Sequence, residues 1–472
     1  MIFYITARYA PILIFYWHNA LFYAILGLMK RVILMILLFI SLTIFLSGCF
    51  RTAADDLFSL PAVSAEYLRL QAHINMILGG GAEFAPPTRG PNRQAVQLKD
   101  LNGDGIKEVI AFFSDPNDST LKVYIFEMVG DDYVVADVVM GVGSEFESIR
   151  YVDMDGDGVM ELVIGWQMGS ALRYMSIFSI TGFQHQLLVS GEEFTELAVY
   201  DMTQDGSDDV IVFMLPTQDA AGTAKIFSMM PDGEIVSQEA RLSMGVESIS
   251  RVLTGNLIDG VPAVFVESEG RFEYGSLVTD IFAINDGSFS NISLNPETFV
   301  SDETIRHRMG SSEVNRDGIL KTPVLRRLIA QSETEYYAID WYAYYSNGAR
   351  TRMLTTYHNN FDEWFLILPF DWREKVSVRR EDAIPGERTI IFSYFEAEES
   401  PHQDFLKIFK LSGAGAEERA RRDSRELIMV DGGMAYAFEL LAPPNSFGIT
   451  FYDDMIVENF RLIYPDWLTG RR

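Results

Sequence analysis

Short apolar runs separated by turns fill most of the chain between residues 93 and 368. Apolar and polar residues alternate through 121–129 and 133–140, and a Gly-Asp-Asp turn separates these two runs. A period of two is typical of a strand with one buried face, and a polar turn between two such runs predicts a hairpin. The same pattern, with a glycine-containing turn after each run, recurs at 174–180, 224–230 and 280–284.

An internal repeat lies between these hairpins. A nine-residue phrase begins at Asp100, Asp153 and Asp201, with oxygen-bearing side chains at positions 1, 3 and 5, glycine at position 6 and an acid at position 9. Two worn copies follow at 256–260 and 313–318, and the aspartate before the repeated glycine recurs every 48 to 58 residues. That period suits a propeller blade, which must stack on neighbouring blades to bury both of its faces.

We therefore expect an all-β propeller of four-stranded blades, with about five recognisable repeats among roughly five to seven blades. The apolar strand at 95–98 precedes the first loop and is a candidate to complete the last blade. Such pairing would close the ring.

The spacing of the repeated phrase predicts a cation site. Oxygens at alternate positions of a tight turn point to one side, the backbone carbonyl at position 7 adds a ligand, and the acid at position 9 closes the shell. Hard oxygen ligands in this number suit Ca²⁺, which binds six to eight of them. The predicted ligands are Asp100, Asn102, Asp104, Ile106, Glu108, Asp153, Asp155, Asp157, Val159, Glu161, Asp201, Thr203, Asp205, Ser207 and Asp209.

An EF-hand begins with the same phrase, but it needs a closing glutamate at position 12 between two helices. Position 12 here is Ala111, Ile164 or Val212, inside apolar strand-like runs, so an EF-hand is excluded. The alternative is an Asp/Asn/Gly turn that needs no metal, although crowded carboxylates favour a cation in the first two loops. The fourth copy has lost most ligands, and the fifth has Lys321 at the closing position, so we expect the fifth to be metal-free.

The N-terminal segment predicts a membrane anchor. After Met29, two basic residues precede an apolar run at 32–45, and the sequence Leu-Ser-Gly-Cys ends at Cys49. This order is typical of a secretory signal peptide, and its end resembles the bacterial lipobox, in which the cysteine is lipidated. Acyl chains on Cys49 would hold the protein on the bilayer without a span. The alternatives are a two-span anchor and a buried thiol beside a transmembrane helix.

The phrase Asp-Leu-Asn-Gly-Asp-Gly at 100–105, followed by an acid and an apolar run, resembles the FG-GAP/VCBS repeat of integrin-α-like β-propellers. Together with the leader and a short helix, the repeats are similar to those of bacterial VCBS-repeat lipoproteins. The resemblance covers roughly residues 93 to 330. It implies a calcium-bound propeller without demonstrated catalysis.

Four segments follow from these patterns. The last of them has apolar strands at 389–395, 405–411 and 434–441 and a helix that begins at Asp453, which predicts a small α+β domain, with degenerate blades as the alternative. The segments are a leader at 1–48 with its expected start at Met29, a lipid-anchored linker at 49–92 with a helix at 64–78, the propeller at 93–368, and the C-terminal domain at 369–472.

Composition narrows the classes of function. The chain has 66 acidic and 38 basic residues, a net charge of -28, whereas a nucleic-acid binder needs a basic surface. Its single cysteine excludes a disulfide framework. The densest basic cluster is a solvated face or, alternatively, a contact for anionic wall polymer or lipid headgroups. It consists of Arg419, Arg421, Arg422 and Arg425.

The sequence contains no recognised catalytic motif, such as His-Glu-x-x-His, Gly-x-Ser-x-Gly or a Walker loop. We expect a non-enzymatic, calcium-stabilised module on the extracytoplasmic face of a bacterial membrane. It is held there by Cys49 and binds an extracellular protein or polysaccharide. The alternatives are an envelope-assembly lipoprotein that acts through its C-terminal domain, and a propeller enzyme that acts on polysaccharide.

Overall fold

The computed structural model describes residues 65–463 apart from 117–119, 171, 219, 273–274, 308, 330–333 and 398. The chain divides into two compact units, Met1–Ala72 and His73–Arg472. No helix within the described ranges is long and apolar enough to cross a membrane. The predicted leader and Cys49 lie outside the described residues.

Six antiparallel sheets follow one another along the second unit, in chain order. In the first sheet, β1 and β2 both pair with one edge of β3, and β4 and β5 follow. Its strands are β1 (Glu83–Phe84), β2 (Val96–Lys99), β3 (Glu108–Asp115), β4 (Thr120–Val129) and β5 (Asp132–Val142). The second sheet contains β6 (Glu145–Val152), β7 (Glu161–Met168), β8 (Leu172–Ser179) and β9 (Gln186–Glu193).

The third and fourth sheets repeat this four-stranded meander. The third contains β10 (Glu196–Tyr200), β11 (Asp209–Met214), β12 (Thr223–Met229) and β13 (Ile235–Arg241). The fourth contains β14 (Val246–Asn256), β15 (Pro262–Gly270), β16 (Ser276–Asn285) and β17 (Ser288–Asn291), with the short β18 (Arg306–His307) paired to β16.

The last two sheets each gain a fifth strand. The fifth contains β19 (Thr322–Arg327), β20 (Tyr337–Tyr344), β21 (Arg350–Asn359) and β22 (Trp364–Leu368). The sixth contains β23 (Val376–Glu381), β24 (Glu387–Tyr394), β25 (Gln403–Leu411), β26 (Glu426–Asp431) and β27 (Met434–Leu440), with β27 between β25 and β26. The chain then returns to the fifth sheet, where β28 (Phe460–Leu462) pairs with β22.

Helices are few in the described part of the chain. Leu70 and Ile74, on the predicted apolar face of the first helix, are buried, whereas Tyr67 is exposed. The α-helices are α1 (Ala65–Gly79), α2 (Ala416–Arg419) and α3 (Asp453–Asn459), and the 3₁₀ turns are Thr181–Phe183, Asp302–Thr304, Phe370–Trp372 and Ser446–Gly448.

Hydrophobic clusters join each sheet to the next one along the chain. Between the first two sheets, the ring of Phe146 lies 5.2 Å from Phe112 and 5.4 Å from Trp166. Between the third and fourth, Phe213 and Phe282 lie 5.8 Å apart. Burying one large apolar side chain contributes about 1.5–3 kcal/mol, so these contacts stabilise the stacking of the sheets.

The predicted all-β propeller of four-stranded blades is confirmed, and six sheets fall within the expected range. One expectation about strand pairing is wrong. The strand at 95–98 does not complete the last blade, because β2 pairs with β3 of its own sheet, from Val96 opposite Ala111 to Lys99 opposite Glu108. The loop between β2 and β3 is short, so β3 returns directly alongside β2.

The predicted C-terminal segment forms the sixth sheet, together with a helix and strand that return to the fifth sheet. The fifth and sixth sheets share one cluster, in which Tyr357 meets Phe392 edge to face at 5.4 Å. The predicted helix from Asp453 stops at Asn459, and Phe460 begins a strand. The strands at 376–381 and 426–431 were not predicted, because charged residues interrupt their apolar runs.

Trp372 tests whether the sixth sheet is an integral part of this unit. Its ring is 2% exposed, meets Phe405 edge to face at 5.0 Å, and donates a hydrogen bond from Nε1 to the Thr450 carbonyl at 2.6 Å. We expect Trp372→Ala to lower the free energy of unfolding by about 3–5 kcal/mol, measured by urea denaturation. Phe370→Ala, at a ring that is 79% exposed, is the matched control and should change it little. A separate early transition in Trp372→Ala would instead indicate an independent domain.

Candidate metal centre

The first three copies of the repeated phrase connect the first and second main strands of a sheet. Loop 1 (100–108) joins β2 to β3, loop 2 (153–161) joins β6 to β7, and loop 3 (201–209) joins β10 to β11. The acid at position 9 is the first residue of β3, β7 or β11. The strand pairing therefore fixes both ends of each loop.

Glycine at position 6 is required by the backbone. Gly105, Gly158 and Gly206 have φ angles of 86°, 87° and 93°. A side chain is strained in this left-handed region, whereas glycine enters it freely. The same turn brings the position 6 amide back to the carboxylate at position 1. Asp100, Asp153 and Asp201 accept that N–H at 2.9, 3.1 and 3.1 Å.

The carboxylate at position 5 accepts the N–H of position 7 in every one of these loops. The distances are 2.7 Å from Ile106 to Asp104, 2.7 Å from Val159 to Asp157 and 2.9 Å from Ser207 to Asp205. Local hydrogen bonds of this kind shape turns that start with aspartate or asparagine. In loops 1 and 2 the second oxygen of the position 1 carboxylate accepts the N–H of position 4, at 2.8 Å from Gly103 and at 2.8 Å from Gly156.

The acid at position 9 is buried in all three loops, with Glu108, Glu161 and Asp209 only 1–3% exposed. One oxygen of each accepts the N–H of position 2, at 2.7 Å from Leu101, 3.0 Å from Met154 and 2.7 Å from Met202. Burial raises the pKa of each of these carboxyls. A buried acid at the entry to a strand is costly to ionise unless a cation lies near it.

Loop 2 brings its acids closest together. Oxygens of Asp153, Asp155 and Asp157 all lie within 4.8 Å of one another. Burial, followed by the charges of Asp157 and Asp153, raises the pKa of Asp155. Burial and the charges of the same three aspartates raise the pKa of Glu161 to about 7. Four acids therefore share a small volume.

The ligand side chains of loops 1 and 3 are less closely clustered than those of loop 2. In loop 1, Asn102 donates from Nδ2 to Asp104 Oδ2 at 3.0 Å. In loop 3, the Thr203 hydroxyl donates to Asp209 at 3.3 Å, and one oxygen of Asp201 is buried without a hydrogen-bond partner among the described residues. A buried unpartnered carboxylate oxygen costs free energy, and a cation at this loop would satisfy it.

These donor sets fit a hard divalent cation. Every predicted side-chain ligand is an oxygen donor, and the position 7 carbonyls add neutral oxygens of the kind that Ca²⁺ accepts. In the described ranges, no ion pair links a carboxylate of loops 1–3 to lysine or arginine. The convergent acids of loop 2 and the orphaned Asp201 oxygen are the observations that support the fit.

The fifth copy carries its own cation. The Lys321 side chain at position 9 is fully buried, and its Nζ donates to Asp317 Oδ1 at 2.6 Å and to the Ile319 carbonyl at 2.9 Å. Asp317 and Ile319 are positions 5 and 7, so the ammonium contacts two of the oxygens that a metal would use. Burial acts to raise the pKa of Asp317, but hydrogen bonds from Lys321, Ile319 and Asn315 outweigh it and lower that pKa.

In the fourth copy, hydrogen bonds replace the ligands. Asp259 accepts the backbone N–H and the hydroxyl of Ser346 at 3.0 and 2.8 Å, which ties this loop to the fifth sheet. These bonds lower the pKa of Asp259 although partial burial opposes them. The carboxylate is thus stabilised without a metal.

Hydrogen bonds join the five loops in a continuous row. The N–H groups of Met160 and Asp208 donate to the carbonyls of Leu101 and Asp153 at 2.8 and 2.9 Å, which links loops 1, 2 and 3. The row continues to the worn copies through Gln204 to Gly260 at 3.0 Å and Leu320 to Asn256 at 3.0 Å. The loops approach so closely that a Cβ on Gly103 would lie 2.8 Å from the Gly158 carbonyl oxygen.

The basic cluster of the sixth sheet has acidic partners. Glu387 pairs with Arg419 at 3.2 Å and with Arg425 at 2.9 Å. Arg421 and Arg422 pair with Glu417 and Glu418 one helical turn away, at 3.1 and 3.2 Å. This arrangement agrees with a locally neutralised face.

Substitution of Lys321 tests whether its ammonium group takes the place of a metal ion in the fifth copy. We expect Lys321→Met to lower the free energy of unfolding by about 3 kcal/mol, because it leaves Asp317 beside a buried apolar group. We expect Lys321→Glu to be unstable in chelator and to regain stability with Ca²⁺, because it restores an acid at position 9. Thermal melts with and without Ca²⁺ measure both effects.

The control for this pair is Lys225→Met, which removes the more exposed ion pair of Lys225 with Glu192 at 2.8 Å. Its effect should stay below about 1 kcal/mol. Equal stability of Lys321→Met and the unchanged protein would contradict the role given to the ammonium.

Residues 100–164, which include loops 1 and 2 entire, match the FG-GAP-like repeat family. No curated protein matches the chain. Among solved structures, the chain is similar to a protein from Lactobacillus plantarum, with 8% identity, a TM-score of 0.26, and coverage of 68% of this chain and 85% of the other. It is also similar to the Dos1 propeller, with 10% identity, a TM-score of 0.24, and coverage of 76% and 89%.

The family match covers loops 1 and 2, and the sheets that follow repeat the same unit of strand, loop and hairpin. Residues 100–164 of this β-propeller chain are therefore identified as an FG-GAP-like repeat.

Proposed function

We propose that this protein is a non-enzymatic binding module, a propeller that Ca²⁺ stabilises and that lipidated Cys49 tethers to the extracytoplasmic face of a bacterial membrane. Its partner is an extracellular protein or polysaccharide. The observation that carries the proposal is the convergence of acids in loop 2, where Asp153, Asp155 and Asp157 lie within 4.8 Å of one another.

Calcium follows from the contrast between the two kinds of loop. In loops 1–3 the buried closing acids have raised pKa values and lie among other acids. In the fifth copy a lysine ammonium lies against the corresponding oxygens, and the pKa of Asp317 is lowered. The fifth copy therefore contains a cation of its own, the Lys321 ammonium, whereas the cation of loops 1–3 comes from solution. Extracellular calcium is abundant enough to fill even weak sites of this kind.

The surface of the protein agrees better with a binding role than with the activity of a polysaccharide hydrolase. A hydrolase of that type needs two carboxyl groups about 5–10 Å apart across a substrate cleft. The pocket between the first strands of the first three sheets has no acid among its lining residues. A second pocket, of about 480 Å³, has Asp382 and Glu387 in its lining, but Asp382 pairs with Arg380 and Glu387 pairs with Arg419 and Arg425. The acids of loops 1–3 lie in turns, where cation binding would occupy them.

Calcium titration of the full-length protein in detergent micelles tests the proposal. We expect two or three sites by isothermal calorimetry, and a higher melting temperature in Ca²⁺ than in chelator. Glu161→Gln should remove one site and most of the calcium-dependent rise in melting temperature, because the neutral amide keeps the hydrogen bond from Met154 but weakens the metal ligand set.

Glu234→Gln is the matched control, since Glu234 is exposed and lies outside the loops. It should leave the number of sites unchanged. A stoichiometry of zero, with identical melts in calcium and chelator, would refute the calcium part of the proposal.

The pH dependence of the metal-free protein follows from Glu161. Its pKa in the folded protein is raised to about 7, above the usual value near 4.3, so the folded state binds its proton more tightly than the unfolded state. The contribution of this group to stability is complete below about pH 4 and is lost as pH rises through about 7.

We therefore expect the free energy of unfolding in chelator to fall between about pH 4.5 and 7.5, and Glu161→Gln to flatten that fall by roughly 1–3 kcal/mol. Urea denaturation across this pH range measures the slope. An identical slope in Glu161→Gln and the unchanged protein would contradict the assignment.

A further inference from the structure

A pocket of about 470 Å³ lies where the first strands of the first three sheets meet. It is lined by residues of β2, β6 and β10, together with 91–94 before β2. Lys99 and Val152 in its wall immediately precede Asp100 and Asp153, so the pocket adjoins loops 1 and 2. A volume of this size is typical of small-molecule sites.

The lining of this pocket has the opposite charge to the protein as a whole. The chain has 66 acidic and 38 basic residues, yet the pocket is lined by Arg150 and Lys99 and by no acid. The other polar groups of its wall are amides and a phenol, from Asn92, Gln94, Gln97 and Tyr151. A positive pocket in an acidic protein attracts small anions from solution.

Arg150 has no carboxylate partner, unlike most of the buried and half-buried arginines. Its Nη1 donates to the Ile149 carbonyl at 3.1 Å, and no acid among the described residues forms an ion pair with it. Glu147 and Glu196, the two acids whose charges act on Arg150, are both bonded by Arg89, at 3.3 and 2.8 Å. By contrast, carboxylates pair directly with Arg251, Arg306, Arg326, Arg419 and Arg425.

Burial lowers the pKa of Arg150, although the more distant charges of Glu147 and Glu196 oppose this. Arginine remains ionised in proteins even so. The guanidinium has five N–H donors, and one bond to a backbone carbonyl leaves most of them for a ligand. A partly desolvated cation with free donors binds anions more strongly than an exposed one.

The wall around Arg150 is held in place by its own hydrogen bonds. The Tyr151 hydroxyl donates to Gln97 Oε1 at 2.7 Å, and Gln97 Nε2 donates to the carbonyls of Asn92 and Gln94 at 3.2 and 2.9 Å. Asn92 Nδ2 donates to the Ile149 carbonyl at 3.3 Å. These bonds tie β2 and the segment before it to β6, so a ligand would meet a preformed wall.

We propose that this pocket binds a small acidic sugar, whose carboxylate or phosphate lies against Arg150 and Lys99. The guanidinium fork matches either anion in a two-point contact, and the exposed Gln94 amide in the wall suits the hydroxyl groups of a sugar ring. The inference rests on the proposed binding function and adds the class of ligand to it.

The test uses three matched probes: glucuronate, glucose 6-phosphate and glucose. Each is titrated by isothermal calorimetry into the full-length protein in detergent micelles, once with Ca²⁺ and once with chelator. We expect at least one of the two anions to bind and glucose to bind at least tenfold more weakly. Preference for glucuronate identifies a carboxylate site, and preference for glucose 6-phosphate identifies a phosphate site.

Arg150→Gln should weaken binding of the preferred anion at least tenfold, and Arg150→Lys should restore part of it, because lysine keeps the charge without the fork. Lys99→Gln, at the rim, gives an independent reading if Arg150→Gln does not fold by thermal melt. The control is Arg271→Gln, which removes an arginine that is 83% exposed and remote from the pocket lining.

The proposal is overturned if neither anion binds, if glucose binds as well as the anions, or if the Arg150 and Lys99 variants bind the anion as the unchanged protein does. Failure of calcium binding is a separate result, because anion binding in chelator does not depend on it. Anion binding without calcium binding would support this pocket and refute the calcium part of the proposed function.

Discussion

The row of loops depends on one electrostatic constraint, which is that a buried acid must be neutralised where each loop enters its sheet. Glu108, Glu161 and Asp209 each begin a strand and are almost fully buried. Each holds the second residue of its loop by a backbone hydrogen bond, so its carboxylate sets the shape of the turn. The same geometry places it beside the acids of positions 1 to 5, whose charges oppose its ionisation.

The hydrogen bonds between loops extend this constraint along the row. The N–H of Asp208, the residue before the closing acid of loop 3, donates to the carbonyl of Asp153, the first residue of loop 2. Likewise Met160, before the closing acid of loop 2, donates to Leu101 of loop 1. A cation bound to one loop would thus also affect the position of the closing acid in the neighbouring loop. Neighbouring sites are therefore not independent in structure.

The sequence predicted the propeller and its loops well because both have a local signal. Alternating apolar positions, glycine turns and the spacing of the aspartates act over a few residues, and the structure confirms the blades they indicate. The pairing of β2 with its own sheet has no such signal, since the edge of the first sheet and the edge of the last sheet offer a strand equivalent backbone groups. Nor has the Arg150 pocket, because its lining residues come from three strands and become neighbours only when the sheets stack. The charged strands of the sixth sheet were missed for a related reason: Arg379 and Arg380 become compatible with a strand only through Asp404 and Asp382.

The closing acids of loops 1–3 differ from most other buried acids of the described chain in having no lysine or arginine partner. In the fourth to sixth sheets, arginines pair with several buried acids: Arg251 and Arg306 flank Glu267, Arg326 meets Asp340, and Arg419 and Arg425 flank Glu387. Lys321 does the same inside a worn loop. The buried Asp280 is held instead by hydrogen bonds from Ser243, Asn291 and Ser301. In loops 1–3 of the described chain, no lysine or arginine forms an ion pair with the clustered acids. A tethered cation is always present, whereas a solution cation is present only where its concentration is high enough. The proposed calcium sites would therefore make the stability of the first three sheets depend on the surroundings, and the same three sheets contain the Arg150 pocket.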